Sequence, residues 1–124
     1  MTRYLLVAIG GMLGAVARYG LSGWISNRTD GGFPYGTLAV NLLGSFIIGF
    51  FLILALERFS WSPGVRLFFA VGFLGAFTTF STFSYETVEL LREGAYAMAA
   101  LNAGTTLFGC LAATLVGILI AKLI

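Results

Sequence analysis

The sequence predicts an all-α integral membrane protein with four transmembrane helices, the third carrying a polar run at mid-depth. Three observations lead there. The chain has 124 residues, 59% of them hydrophobic and 10% charged, whereas a soluble domain carries about 25% charged residues. Four apolar segments, at 4–25, 37–57, 65–91 and 95–121, each supply the ~20 residues that cross the hydrocarbon core as a helix. The third also holds a polar run that immersion in lipid does not explain.

The links between segments are short, so the whole chain, 1–124, reads as a single domain. The first link holds Asn27, Arg28, Thr29, Asp30, Gly31, Gly32 and Pro34. The second holds Ser60, Ser62, Pro63 and Gly64, and the third is Arg92-Glu93-Gly94. All are turn and breaker residues. Arg3, the apolar run to Ala17 and the Ala15-Val16-Ala17 triplet fit a cleavable signal peptide. The run continues past Arg18 to Ile25, however, and reads as a first span that stays.

Composition excludes several chemistries. There is no histidine and one cysteine, Cys110. Disulfide frameworks, multi-ligand zinc sites and Cys–His or Ser–His catalysis are therefore absent. With no nucleophile–base pair in view, the chain does not read as an enzyme. The net charge of +2 is scattered along the chain and gives no nucleic-acid surface.

Orientation is open. Arg3, Arg58, Arg66 and Lys122 fall on one side of the membrane, while Arg28, Arg92 and Arg18 fall towards the other. That is almost no bias for the positive-inside rule. Either the protein inserts both ways or a single charge decides. Small residues suggest close helix contacts. Gly10 and Gly14 form a GxxxG pair, and Thr105, Gly109, Ala113, Gly117 and Ala121 make a stripe on the last span. The stripe fits a dimer seam or packing within one subunit.

The polar run is Gly75-Ala76-Phe77-Thr78-Thr79-Phe80-Ser81-Thr82-Phe83-Ser84, followed by Glu86, with five hydroxyls between 78 and 84. Polar groups inside a bilayer are costly and face a cavity, a partner or an ion. Glycine followed by Thr-Thr at mid-depth suggests a helix break, whose freed carbonyls can bind a cation. An unbroken helix with back-bonding threonines is the other reading. Phe80 and Phe83, three apart, share a helix face. Their ring edges carry positive charge, so with hydroxyls and the Asn41 amide they could replace water around a small anion; plain aromatic packing is the alternative. Glu86 reads as a mouth carboxylate or an interfacial one. Arg18 either attracts anions or snorkels to the headgroups. Asn41, Glu86, Asn102 and Arg18 all lie in one half of the membrane, which makes sense if an inverted second copy supplies the other half.

The run Gly75-x-x-Thr78-Thr79-Phe80-Ser81-Thr82-Phe83-Ser84 with Glu86, together with Gly36-Thr37-Leu38-x-x-Asn41, resembles the Fluc (CrcB) fluoride channels. Gly10-Gly11-x-x-Gly14-Ala15-x-x-Arg18 is similar to that family's first helix. The resemblance implies antiparallel dual-topology homodimers, built around a broken third helix, in the bacterial plasma (inner) membrane, with two pores that pass fluoride passively and reject chloride. It implies Phe80 and Phe83 as pore rings, Asn41 as a pore donor, Ser81 and Thr114 on a polar track, and Glu86 near a vestibule. Arg18 and Thr37 would be vestibule or structural polar groups. The carbonyls of Gly75 and Thr78 from both subunits would hold a structural Na+. Cys110 departs from the serine that some members place on the track, and a thiol is a weak donor.

Two other classes remain for the chain. A small proton-coupled multidrug transporter is also short and four-spanned, but such proteins need a carboxylate in the first span, and this one has none. A non-transporting membrane assembly factor would use the small-residue faces, yet does not require the intramembrane polar cluster.

Overall fold

A computed structural model describes all 124 residues. It is helical throughout, with four helices long and apolar enough to cross a membrane: Thr2–Ser26, Tyr35–Arg58, Pro63–Arg92 and Tyr96–Leu123. The third is interrupted. We name the helices α1 (Thr2–Ser26), α2 (Tyr35–Arg58), α3 (residues 63–77), α4 (Phe80–Arg92) and α5 (Tyr96–Leu123). The boundaries lie within a few residues of those expected.

The ends follow from local chemistry. Gly31 and Gly32 take positive φ in the first link, and Gly94 does so in the last, where a side chain would be strained. The Ser62 hydroxyl accepts from the Val65 N–H, and Pro63 occupies the first turn of α3, where its missing N–H costs nothing. Two stretches are wound as π-helix: Leu54–Arg58 ends α2, and Leu67–Leu74 forms most of α3. Nothing in the sequence pattern had signalled this winding.

Packing is by backbone approach. α1 lies against α3, and α2 lies against α5. A Cβ at Gly10 would fall on the Phe68 carbonyl, and one at Gly14 on the Phe73 carbonyl. A Cβ at Gly117 would meet the Phe46 carbonyl, and one at Gly49 the Thr114 carbonyl. The GxxxG pair therefore packs within the chain, and so does Gly117 of the α5 stripe. Without a hydrophobic drive between helices in lipid, such contacts hold a bundle together through dispersion.

Between α3 and α4 the backbone leaves the helical region. Thr78 is extended (φ −93°, ψ 156°), as is Thr79 (φ −151°, ψ 115°). Gly44 on α2 makes room for them: a Cβ there would overlap the Thr78 methyl group. α4 then starts afresh, capped by Thr79, whose hydroxyl accepts from the Thr82 N–H at 3.2 Å.

Candidate functional site

Two extended residues at membrane depth leave backbone groups that lipid cannot satisfy. The chain satisfies most of them with side chains. Asn41, buried on α2, accepts from the Thr79 N–H at 2.8 Å and donates to the Thr79 carbonyl at 3.1 Å. Its amide thus pairs with Thr79 as a neighbouring strand would. Arg18 on α1 donates through Nε to the Ala76 carbonyl at 2.9 Å. A guanidinium at the carbonyl end of α3 also opposes the negative pole of that helix. The Thr78 hydroxyl bonds back to the Leu74 carbonyl at 3.1 Å. The extended backbone and the back-bonding threonine thus occur together.

Among the carbonyls left over are those of Gly75 and Thr78. Gly75 O loses its helical partner because the Thr79 N–H is turned to Asn41. Thr78 O accepts no hydrogen bond within the chain. Thr78 O and the Thr79 N–H belong to one trans peptide group and point opposite ways. Asn41 therefore aims the Thr78 carbonyl away from α2. Gly75 itself is exposed.

Beside the interruption lies a groove of about 550 Å³. α2 contributes Asn41 and Ser45, and the extended pair contributes Thr78 and Thr79. α4 contributes Phe80 and Phe83, and α5 contributes Thr106, Cys110 and Thr114 among apolar neighbours. The Phe80 and Phe83 rings sit 5.4 Å apart at 55°, tilted rather than stacked. No charged side chain lines the groove. It can receive a small ion only through dipoles, hydroxyls and ring edges.

The donor inventory shows what the groove can offer an anion. The Thr114 hydroxyl is spent on the Ser45 carbonyl at 3.0 Å, Thr78's on Leu74, and Thr79's on Thr82 Oγ1 at 3.0 Å. One Asn41 N–H, the Ser45 hydroxyl and the Cys110 thiol make no bond within the chain. The Thr106 hydroxyl is buried with no partner at all. Each of these can turn a hydrogen towards an anion, and the hydroxyls among them can also accept.

Five of the expected site residues, Asn41, Thr78, Phe80, Phe83 and Thr114, meet in this groove. Ser81 does not line it; it is exposed, with its hydroxyl 3.3 Å from that of Thr79. Glu86 lies outside the groove, faced by the Thr37 hydroxyl, and its Oε1 is buried without a partner. Gly75 and Arg18 belong to the interruption rather than to the groove wall. Ser45 and Thr106 were missed by sequence reasoning. Their signal was spacing: Ser45 follows Asn41 by one turn, and Thr106 precedes Cys110 and Thr114 by one and two turns.

Four membrane-capable helices, with an uncharged groove between α2, α4 and α5, make this a small multi-pass membrane protein. Residues 5–118 match the family model described as CrcB-like protein, Camphor Resistance (CrcB). A Thermus thermophilus protein named fluoride-specific ion channel FluC is 55% identical over 106 residues, covering 86% of this chain and 83% of that one. Proteins of the same name from Geotalea uraniireducens and Geobacter sulfurreducens are 44% and 46% identical, each over 98% of both chains. The chain belongs to the CrcB family. It is a multi-pass protein of the bacterial inner membrane.

Proposed function

We propose that the chain forms a fluoride-selective channel that lets F− leave the cytoplasm passively, and that it has no enzymatic activity. The observation that carries this is the uncharged groove, where Asn41 and Ser45 keep unspent donors and two tilted phenyl rings form part of the wall. Fluoride holds its water tightly, so a path must offer substitutes for it. Hydroxyl and amide donors supply short hydrogen bonds, and the rings turn weakly positive edges towards the ion. Chloride is larger and gains less from both. The groove wall has no charged side chain, so an ion there is held by dipoles and ring edges that let it leave as it entered. A carboxylate-driven proton antiporter would need an acid where the substrate binds, and neither the groove nor α1 carries one.

The working unit in this proposal is an antiparallel homodimer around the interruption at Thr78 and Thr79. Supporting it, Phe80 is 76% exposed in the single chain, and Gly75 beside the interruption is exposed too. The nearly balanced charge on the two sides of the membrane allows insertion both ways. The Gly75 and Thr78 carbonyls also suit a structural Na+. They are hard, neutral oxygen donors, and a hard monovalent cation favours such ligands. One chain offers two, so a two-fold partner would complete a set of four. Bound there, Na+ would supply a fixed positive charge that holds the two interruptions together. Asn41 orients the Thr78 carbonyl, and Arg18 relieves the adjacent Ala76 carbonyl. Glu86 and Thr37 stand near a mouth of the path.

Reconstituted liposomes loaded with potassium fluoride test the function directly. With valinomycin present, a fluoride electrode should record rapid efflux, while chloride-loaded liposomes should hold their contents. No fluoride efflux, or equal release of chloride, would reject the proposal.

A further inference from the structure

Within one chain the helix that bears both rings is weakly packed: α4 buries a single residue, Leu90. Apolar contact alone therefore does little to fix its rotation about its own axis. A polar relay runs along the same side. The Thr87 hydroxyl donates to the Phe83 carbonyl one turn back at 2.8 Å. Its oxygen accepts from Asn102 Nδ2 on α5 at 2.9 Å. A hydroxyl has one hydrogen, and here it is committed to Phe83, so Thr87 can serve Asn102 only as acceptor. Asn102 is 2% exposed, and an amide at that depth holds its partner firmly because an unmade bond is costly. Phe83, Thr87 and Leu90 fall at helical spacings that share one face.

We infer that Asn102 and Thr87 are positioning residues that set the rotation of α4 and so hold the Phe83 ring in the groove. The inference rests on the reading of Phe80 and Phe83 as walls of the fluoride path. With side chains lying about 5–6 Å from a helix axis, a turn of about 20° moves a ring by about 2 Å. That displacement separates a ring edge in contact with an ion from one that leaves a gap.

The test uses the full-length protein in Thr87→Val, Asn102→Leu, the double variant and Thr87→Ser. Fluoride efflux from liposomes is measured per folded protein, beside the thermal midpoint in detergent. Thr87→Ser keeps the hydroxyl and should conduct within about twofold of wild type, whereas each single apolar variant should lose about tenfold. The double variant removes donor and acceptor together, so its midpoint should recover towards wild type while its flux stays low. A purely structural pair would behave otherwise, with flux returning as stability returns. Recovery of flux in the double variant, or wild-type flux in the singles, overturns the assignment. If a single variant does not fold, the double variant decides, since it buries no unpaired amide. Absence of efflux from wild-type protein in the same assay would instead overturn the channel reading.

Discussion

Gly44→Ala is a one-carbon change that probes the interruption of the third span. The new Cβ would overlap the Thr78 Cγ2 methyl and lie 3.3 Å from a Phe77 ring carbon. The helix backbone of α2 cannot retreat cheaply, because Gly49 one turn and a half further on is already against the Thr114 carbonyl. The overlap must be relieved by shifting Thr78, the residue whose carbonyl and hydroxyl are both committed in our account. Overpacking of this kind costs ~1–3 kcal/mol, and a displaced Thr78 also strains the adjoining Asn41–Thr79 pair. Thr78→Ser removes the offending methyl and keeps the hydroxyl that bonds to Leu74. The expected series is therefore a lower thermal midpoint and reduced fluoride efflux for Gly44→Ala, near-wild-type behaviour for Thr78→Ser, and substantial recovery in the double variant. Thermal unfolding in detergent and electrode-recorded efflux read it out. Unchanged flux in Gly44→Ala, or a double variant no better than the single, would refute the reasoning.

Other outcomes follow from the same geometry. Asn41→Leu removes both bonds to Thr79 and leaves buried backbone groups unpaired, at ~1–3 kcal/mol for each group; the melting midpoint should fall clearly, and an unaltered midpoint would contradict the pairing. Phe80→Ile should cut efflux with the oligomer unchanged by size-exclusion chromatography; intact flux would remove the ring from the path. Cys110→Ser exchanges a weak donor for a stronger one, so efflux should hold or rise, whereas Cys110→Val should lower it. Replacing Na+ by N-methylglucamine throughout purification should lower both the thermal midpoint and the dimer fraction; identical values in the two buffers would count against a structural cation.

Much of the framework was legible because bilayer thickness sets helix length and because breaker residues cluster at the links. The polar run from Gly75 to Ser84 stood out because five hydroxyls in lipid need a reason, and Thr78, Thr79, Phe80 and Phe83 of that run line the groove. What escaped was tertiary. Asn41 reads as a pore donor by motif, yet half its capacity goes to Thr79, a residue 38 positions away. Arg18 reads as a headgroup or vestibule charge, but it meets the Ala76 carbonyl. The π winding of residues 67–74 leaves no trace in composition. Ser45 and Thr106 carried only a one-turn spacing from residues already singled out, which is too weak a signal before the helices are placed side by side. Gly44 was silent for a related reason: a glycine's value depends on what lies opposite, and here that is Thr78.

The most direct measurement is an experimental structure of the protein in lipid with fluoride present. Anion density is expected beside the Phe80 and Phe83 ring edges, within hydrogen-bonding reach of Asn41, Ser45 or Thr106, in each of two oppositely oriented subunits. Density confined to charged surface groups, or subunits oriented in parallel, would contradict the account.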